Sequence, residues 1–553
     1  MVSKKKLQHL FELQSPWWLP AIAILCLVVW TRQINLGGLS WSDAPQHALD
    51  GAFILDAIRA MPSHISQWAQ DYYLRYPNLG IVTFYPPFFA GVEAAFYALL
   101  GVTVLAARFC VVAFALAALL AMYWVVRQLF DRTTGLIAAA LWATLPTTIL
   151  WSRQVMLEVP TVAMILIALG CYLKYRSSNS ILWLALTAVT TALAFFTKQW
   201  AGFFAIVLFI DLLITLGPKK TFALRHILAM GFVAVVIGAY MLLSSRYAAL
   251  SGSLVRGENG WQHLLTVGNW IYYLKAMPDV LGWPMIAFMT LGLFIAVSST
   301  NTIYNLRLPM LWAIVFYLFA SVIAYKEPRY FYLFVPAAVI LTAGGLIHGL
   351  EKTNLAWAGR ALLLTMIGFQ LIQGWFQNPS RLASFKPAAK LIVNKPDADL
   401  VLIDANREGD FIFALRGLQG PDGKIIPLRG SKLLYSRAAR RRWGYQAYVE
   451  NESQILKLIQ NYGLRYIVVE SSPPNVPDWE DYFPPPSQML RNVLKDTTRF
   501  EKIAAYPISS DPIWQKVQIE VYRYRAPFGP LKKSITLPMP SVGKNIEIRL
   551  PNR

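Results

Sequence analysis

Residues 104–127 read VLAARFCVVAFALAALLAMYWVVR, with Arg108 near one end and Arg127 at the other as the only charges. A helix rises about 1.5 Å per residue, so a run of this length can cross a hydrocarbon core about 30 Å thick. Ten more apolar runs flank it, near 17–36, 135–151, 159–173, 181–197, 201–216, 226–245, 281–298, 308–324, 331–350 and 357–376. About eleven transmembrane helices make the expected fold class a polytopic α-helical membrane protein.

Charge divides the chain at about residue 380. Of its 51 Lys and Arg and 30 Asp and Glu, residues 1–380 carry 24 and 13, and residues 381–553 carry 27 and 17. The second part is charged about as often as a soluble protein, the first far less. The expected organisation is a transmembrane domain over 1–380 and an external domain over 381–553, followed by a weakly patterned tail from 526. A disordered chain and a single soluble domain are both excluded. The net charge of +21 has a topological cause in Lys and Arg beside spans, so nucleic acid is not an expected partner. Cys26, Cys110 and Cys171 all lie in apolar runs, which leaves no disulfide framework or cysteine metal site outside the membrane. Lys4–Lys6 before an apolar run resembles a signal peptide, but many spans follow, and the run reads as a retained first helix.

Counting Lys and Arg in short loops gives the orientation. Lys4–Lys6, Arg127 and Arg132, Lys174 and Arg176, Lys219, Lys220 and Arg225, Arg307, and Lys352 and Arg360 all fall on one side if the N-terminus is cytoplasmic. Eleven spans then put the C-terminal domain outside. On the external side remain Asp43, Asp50, Asp56, Arg59, Arg153, Glu158, Lys198, Arg246, Lys326, Glu327 and Arg329. Ions at the edge of hydrocarbon cost about 2.5–3.5 kcal/mol each if they face lipid, so a set gathered on one face points to a site. The first external loop, 37–103, is long and rich in aromatics. Within it, 46–60 and 88–100 have helical apolar spacing and read as helices lying along the membrane surface, as does Trp261–Tyr273.

Five short motifs occur in order on that face: Trp41-Ser42-Asp43, Tyr85-Pro86-Pro87-Phe88, Ser152-Arg153 with Glu158-Val159-Pro160, Thr197-Lys198, and Pro328-Arg329-Tyr330 before a span containing Pro336. The pattern over 1–380 resembles the GT-C glycosyltransferases, in the branch of the protein mannosyltransferases and the bacterial aminoarabinose transferase of lipid A. The resemblance implies transfer of a sugar from a dolichyl or undecaprenyl phosphate carrier to an acceptor outside the cytoplasm. It maps the catalytic carboxylate to Asp43 and the carboxylate opening the fourth span to Glu158. This sequence departs from the family with Ala44 where a second acid often follows, Tyr85 where His or Lys often precedes the prolines, and Glu158 where Asp is commoner.

The chemistry of the residues runs parallel. Displacing a phosphate from an anomeric carbon needs a base for the acceptor hydroxyl, worth about 10²–10⁴-fold, and Asp43 is the candidate. The leaving phosphate gains charge and calls for fixed cations. Arg329, Lys326, Arg246 and Lys198 are the candidates, each with lipid headgroup binding or a structural ion pair as its plainer role. Glu158 could orient the site, bind the acceptor or pair with Arg153. His47, Tyr85 and Trp41 are candidates to touch the acceptor, the sugar or a divalent metal ion, and the metal requirement stays open. A single displacement inverts the anomeric centre. No Gly-Lys-Ser/Thr phosphate loop, GxGxxG helix start or HExxH motif is present, so nucleotide hydrolysis and zinc-protease chemistry have no support.

The external part alternates strand-like and helix-like runs: strands at Asp399–Asp404, Arg465–Glu470 and Trp514–Tyr524, helices near Gly409–Leu418, Glu452–Tyr462 and Gln488–Leu494. That predicts a small α/β domain with a mixed sheet, serving as an acceptor-binding module or lid. Arg440, Arg441 and Arg442 form a basic cluster that could meet anionic headgroups. Expected partners are a polyprenyl-phosphate sugar, a glycan, lipid or protein acceptor, and membrane lipids; a bacterial inner membrane fits best. Two rival classes remain: a transporter or lipid flippase with an external accessory domain, and a non-catalytic scaffold of the same fold.

Overall fold

A helix stands at each of the eleven expected places in the computed structural model, which describes residues 13–81, 85–245, 255–257, 260–351, 355–376, 382–436, 445–477, 479, 483–509, 513–539 and 544–550. After α1 (Trp18–Thr31), the long connection that follows folds into α2 (Ala44–Ala60), α3 (Ile65–Arg75) and α4 (Phe88–Leu100). Then follow α5 (Val104–Leu129), α6 (Arg132–Thr144), α7 (Pro146–Ser152), α8 (Glu158–Ser178), α9 (Ile181–Thr197), α10 (Phe203–Thr221) and α11 (Leu224–Ser245). The membrane part closes with α12 (Val267–Leu281), α13 (Trp283–Ala296), α14 (Thr300–Val322), α15 (Val335–Gly349) and α16 (Ala356–Phe376).

Among the described residues, six helices are long and apolar enough to cross a membrane, or up to eight if each bent pair counts as one span. The first pair, α6 and α7, bends by 66° where Leu145 meets Pro146, and Pro cannot continue the helical ladder. The second, α12 and α13, bends by 110° at Gly282, whose φ of 77° suits glycine. The helix expected at Trp261–Tyr273 thus begins later, at Val267, after a 3-10 turn over Gly260–Leu265, and runs on to Leu281. Two other expected spans, α1 and α9, are apolar but only 14 and 17 residues long, a mismatch that local bilayer thinning can absorb. α3 is an element that the sequence reading left as loop.

Local chemistry sets many of these ends. Thr103 caps α5 by accepting from the Ala106 amide at 3.1 Å, and Asp131 caps α6 through Thr134 at 2.9 Å. α8 and α15 form the centre of the bundle, whereas α11 turns nearly all its apolar surface outward, toward lipid. α13 and α15 approach closely because a Cβ on Gly345 would stand 2.5 Å from the Gly292 carbonyl oxygen.

The C-terminal domain holds α17 (Lys386–Val393), β1 (Leu400–Asp404), α18 (Glu408–Gln419), β2 (Ile426–Arg429), α19 (Glu452–Tyr462), β3 (Tyr466–Glu470), α20 (Pro485–Val493), β4 (Phe500–Pro507) and β5 (Gln518–Tyr524). Its five-stranded sheet has the order β2-β1-β3-β5-β4; β1 is parallel to β2 and β3, while β5 runs antiparallel to β3 and β4. The mixed α/β expectation agrees with this, and the tail contains a hairpin, β6 (Ser534–Met539) with β7 (Lys544–Arg549). Asn451 caps α19 by accepting from the Gln454 amide. The Arg440–Arg442 cluster lies outside the described residues.

Buried polar contacts fasten this domain to the connection between α1 and α5. Arg416 on α18 grips Asp56 on α2 with contacts of 2.5 and 2.8 Å, and Tyr72 on α3 adds its hydroxyl to Asp56 at 2.8 Å. Asp410 accepts from the amides of Leu39 at 3.0 Å and Phe385 at 2.8 Å. Arg429 donates to the Pro77 carbonyl at 2.9 Å. Ile412 and Phe413 of α18 join the same apolar core as the membrane helices.

Candidate active site

Asp43 is the N-cap residue of α2, yet its carboxylate makes no cap bond to the helix. It reaches sideways. Its Oδ2 accepts from Nη2 of Arg329 at 2.8 Å, and its Oδ1 accepts from the Ser42 hydroxyl at 3.1 Å. Arg329 sits in the 3-10 turn Pro328–Phe334 that leads into α15, so residues 286 positions apart in sequence form one ion pair. A second nitrogen of the guanidinium, Nε, lies 2.5 Å from Glu327 Oε2, too bent for a good hydrogen bond. Nη1 is buried and has no hydrogen-bond partner.

A second ion pair stands beside the first. Glu158, the first residue of α8, accepts from Lys198 Nζ at 2.8 Å, and its other oxygen is buried without a partner. Lys198 and Arg329 both lie 5.2 Å from the ring of Tyr330, one from its ammonium and one from its guanidinium carbon. The ring of Trp200 packs on Tyr330 at 4.5 Å. Two carboxylates and two cations from four chain segments therefore meet around one aromatic ring.

His47 lies one turn beyond Asp43 on α2, with its ring 4.3 Å from Tyr85 and 6.3 Å from Phe89. Burial alone would raise the Asp43 carboxyl, but Arg329 and then His47 outweigh it and hold it at about 2. Burial pushes His47 down to about 4, against the pull of Asp43 and Glu158. The Tyr85 hydroxyl is raised well above its usual value by burial and then by Asp43, to which it hydrogen-bonds. Asp50, one turn further along α2, accepts from the amides of Gly80 at 2.8 Å and Ile81 at 3.0 Å, and so ties down the strand of loop that leads to Tyr85.

The sequence candidates thus sort themselves by position. Asp43, Glu158, Arg329, Lys198, His47 and Tyr85 come together. Trp41 stands at the rim, partly exposed and 4.8 Å from Trp151. Lys326 is turned away: its ammonium donates to the carbonyls of Ala320, Ser321 and Ile323 and closes the end of α14. Burial lowers it to about 8. Arg153 donates to the Val29 carbonyl rather than to Glu158. Arg246 lies outside the described residues. Among the described residues no three His, Cys, Asp or Glu side chains are placed to hold a metal ion, so Asp43 and His47 would be short of a third protein ligand. Glu327, Tyr330 and Trp200 are site neighbours that the sequence reading did not select.

This arrangement of helices is shared with known proteins. ArnT from Cupriavidus metallidurans bound to undecaprenyl phosphate superposes with a TM-score of 0.57 over 93% of this chain and 100% of that one, at 15% identity. The chain has the GT-C fold. The arabinofuranosyltransferase AftD from Mycobacteria matches this chain with a TM-score of 0.55 over 93% of it and 40% of AftD, at 14% identity. An Archaeoglobus fulgidus oligosaccharyltransferase, in a complex with Zn and sulfate, matches with a TM-score of 0.53 over 82% of this chain and 68% of its own, at 13% identity. The family model of dolichyl-phosphate-mannose-protein mannosyltransferases matches residues 85–243, from Tyr85 through α11. No curated protein matches the sequence significantly. The expectation of a GT-C membrane protein with an α/β C-terminal region agrees with these likenesses, and the chain is an integral membrane protein.

Proposed function

We propose that this GT-C chain transfers a monosaccharide from a polyprenyl-phosphate carrier to an acceptor hydroxyl on the external face of the membrane, with inversion and with Asp43 as the base. The observation that carries the reading is the Asp43–Arg329 pair at 2.8 Å, beside Glu158–Lys198, in a buried setting on the proposed external side. A base and a phosphate-binding cation in contact are what a single displacement at an anomeric carbon requires. The acceptor O–H bond breaks and its proton goes to Asp43. The acceptor oxygen bonds to the anomeric carbon, and the carbon–phosphate oxygen bond breaks with its electron pair left on the lipid phosphate.

Arg329 is the first cation for that phosphate, since its Nη1 donor is free of protein partners and a guanidinium can grip two phosphate oxygens at once. Lys198 is the second, with Glu158 orienting it. His47, neutral at pH 7, can accept or donate one hydrogen bond to a sugar hydroxyl, with Tyr85 and Trp41 as stacking surface. Lys326 serves the structure of α14 instead. Membrane lipids surround the bundle, the acceptor is a glycan, lipid or protein, and the setting is a bacterial inner membrane with a cytoplasmic N-terminus and an external C-terminal domain.

The test is transfer of radiolabel from a polyprenyl-phosphate sugar by membranes containing wild type or Asp43→Asn. Loss of about 10²–10⁴-fold is expected of the variant. Equal transfer by both would remove Asp43 from the mechanism, and solute uptake driven by an ion gradient would replace the reading with transport.

A further inference from the structure

Glu327 stands beside Arg329 and meets a different nitrogen of the guanidinium from Asp43, Nε rather than Nη2. Its Oε1 accepts from the Tyr325 hydroxyl at 2.6 Å, and its Oε2 lies 2.5 Å from Arg329 Nε. Both carboxylates therefore compete for one planar cation, whose five N–H donors are fixed in a fork. Asp43 takes Nη2 by hydrogen bond and Glu327 meets Nε by charge alone, which leaves Nε and Nη1 both buried without a hydrogen-bond partner.

We propose that Glu327, oriented by Tyr325, is a positioning residue that holds Arg329 in place while the guanidinium exchanges Asp43 for an oxygen of the lipid-borne phosphate. The inference rests on the transferase reading above. In that reaction, negative charge disappears from Asp43 as it takes the acceptor's proton and grows on the phosphate as the carbon–oxygen bond breaks. A cation tied to Asp43 alone would lose its counter-charge at the moment the phosphate needs it. A second carboxylate that takes no proton keeps the cation beside the leaving group, so its turn toward phosphate is a small rotation about a fixed edge. The same grip keeps Arg329 from closing both of its ends on Asp43 before the donor arrives.

The experiment measures binding of undecaprenyl phosphate to the full-length protein in detergent, for wild type, Glu327→Gln, Glu327→Asp and Tyr325→Phe. Wild type binds. Glu327→Gln binds about tenfold more weakly, the scale expected for removing one charge from a close, partly buried ion pair. Glu327→Asp recovers most of the affinity, which a general loss of fold would not allow, and Tyr325→Phe loses a few-fold. In the transfer assay, Glu327→Gln raises the donor KM more than it lowers kcat. Binding by Glu327→Gln equal to wild type overturns the positioning role while wild-type binding leaves the transferase reading intact. Wild type that does not bind the lipid phosphate overturns both. If Glu327→Gln does not fold, Tyr325→Phe decides: unchanged affinity there ends the proposal.

Discussion

Asp43 owes its ionisation to Arg329. With the guanidinium in contact the carboxyl sits at about 2, although burial pulls the other way. A base must be deprotonated to act, so kcat/KM for wild type is expected to stay level on the acid side from pH 7 to pH 5. In Arg329→Gln the cation that chiefly opposes burial is gone, the carboxyl rises above the usual range, and activity falls as pH drops through it. A pH profile of kcat/KM at saturating acceptor reads this directly, and the absence of a new acid limb in the variant would refute the coupling. Six of the nine candidate residues meet in the structure, because a charge beside an apolar span is a strong signal in sequence. The signal is blind to direction. Lys326 and Arg329 are three residues apart and look alike on paper, but the backbone turn sends one to the carbonyls ending α14 and the other to Asp43. Glu327 went unselected for the same reason: an acid between two bases reads as local charge balance.

Hydropathy found the helices themselves, with α4 at the predicted 88–100 and α19 at the predicted 452–462. What it missed were breaks and polar helices. The Leu145–Pro146 kink sits inside continuous apolar text, the Gly282 kink sits at the edge of an apolar run, and α3 has too many polar residues to stand out. β2 is only four residues long and resembles loop, whereas β4, eight residues long, lacks clean alternation; it is an edge strand carrying a register shift between Lys502 and Ala504. Two predictions belong at this scale. Gly345→Val would drive a side chain into the Gly292 backbone and is expected to destabilise the bundle by about 1–3 kcal/mol, seen as a lower thermal midpoint in detergent. Asp50→Ala would leave the Gly80 and Ile81 amides without their acceptor. It should cut transfer more than it lowers the thermal midpoint, since those amides hold the approach to Tyr85 rather than the core. A fully active Asp50→Ala protein would show that the loop needs no such anchor.

Across the whole chain, the bundle and the C-terminal domain are joined by buried charge. Asp56 and Arg416 are 360 residues apart and both almost wholly enclosed. Removing one member strands the other's charge, so Asp56→Ala is expected to cost about 3–5 kcal/mol. The double variant Asp56→Leu with Arg416→Met should cost much less, because replacing both partners leaves no orphan. Thermal unfolding of the three proteins in one detergent separates these cases, and equal losses in the single and double variants would mean that the pair itself, not the orphaned charge, matters. None of this join was readable beforehand. Sequence marks Asp56 as an acid on one expected helix and Arg416 as one of two charges on another, and only the fold makes them neighbours.

The Asp410 carboxylate carries one consequence further. It is shared between an amide just after the first helix and an amide at the start of the C-terminal domain, so it works like a rivet through two plates. A gene cut near residue 380 to express the halves separately would leave Asp410 with only the Phe385 amide on one fragment and the Leu39 amide without its acceptor on the other. Chimeras that swap the C-terminal half between homologous proteins would need to import residues 37–80 along with it.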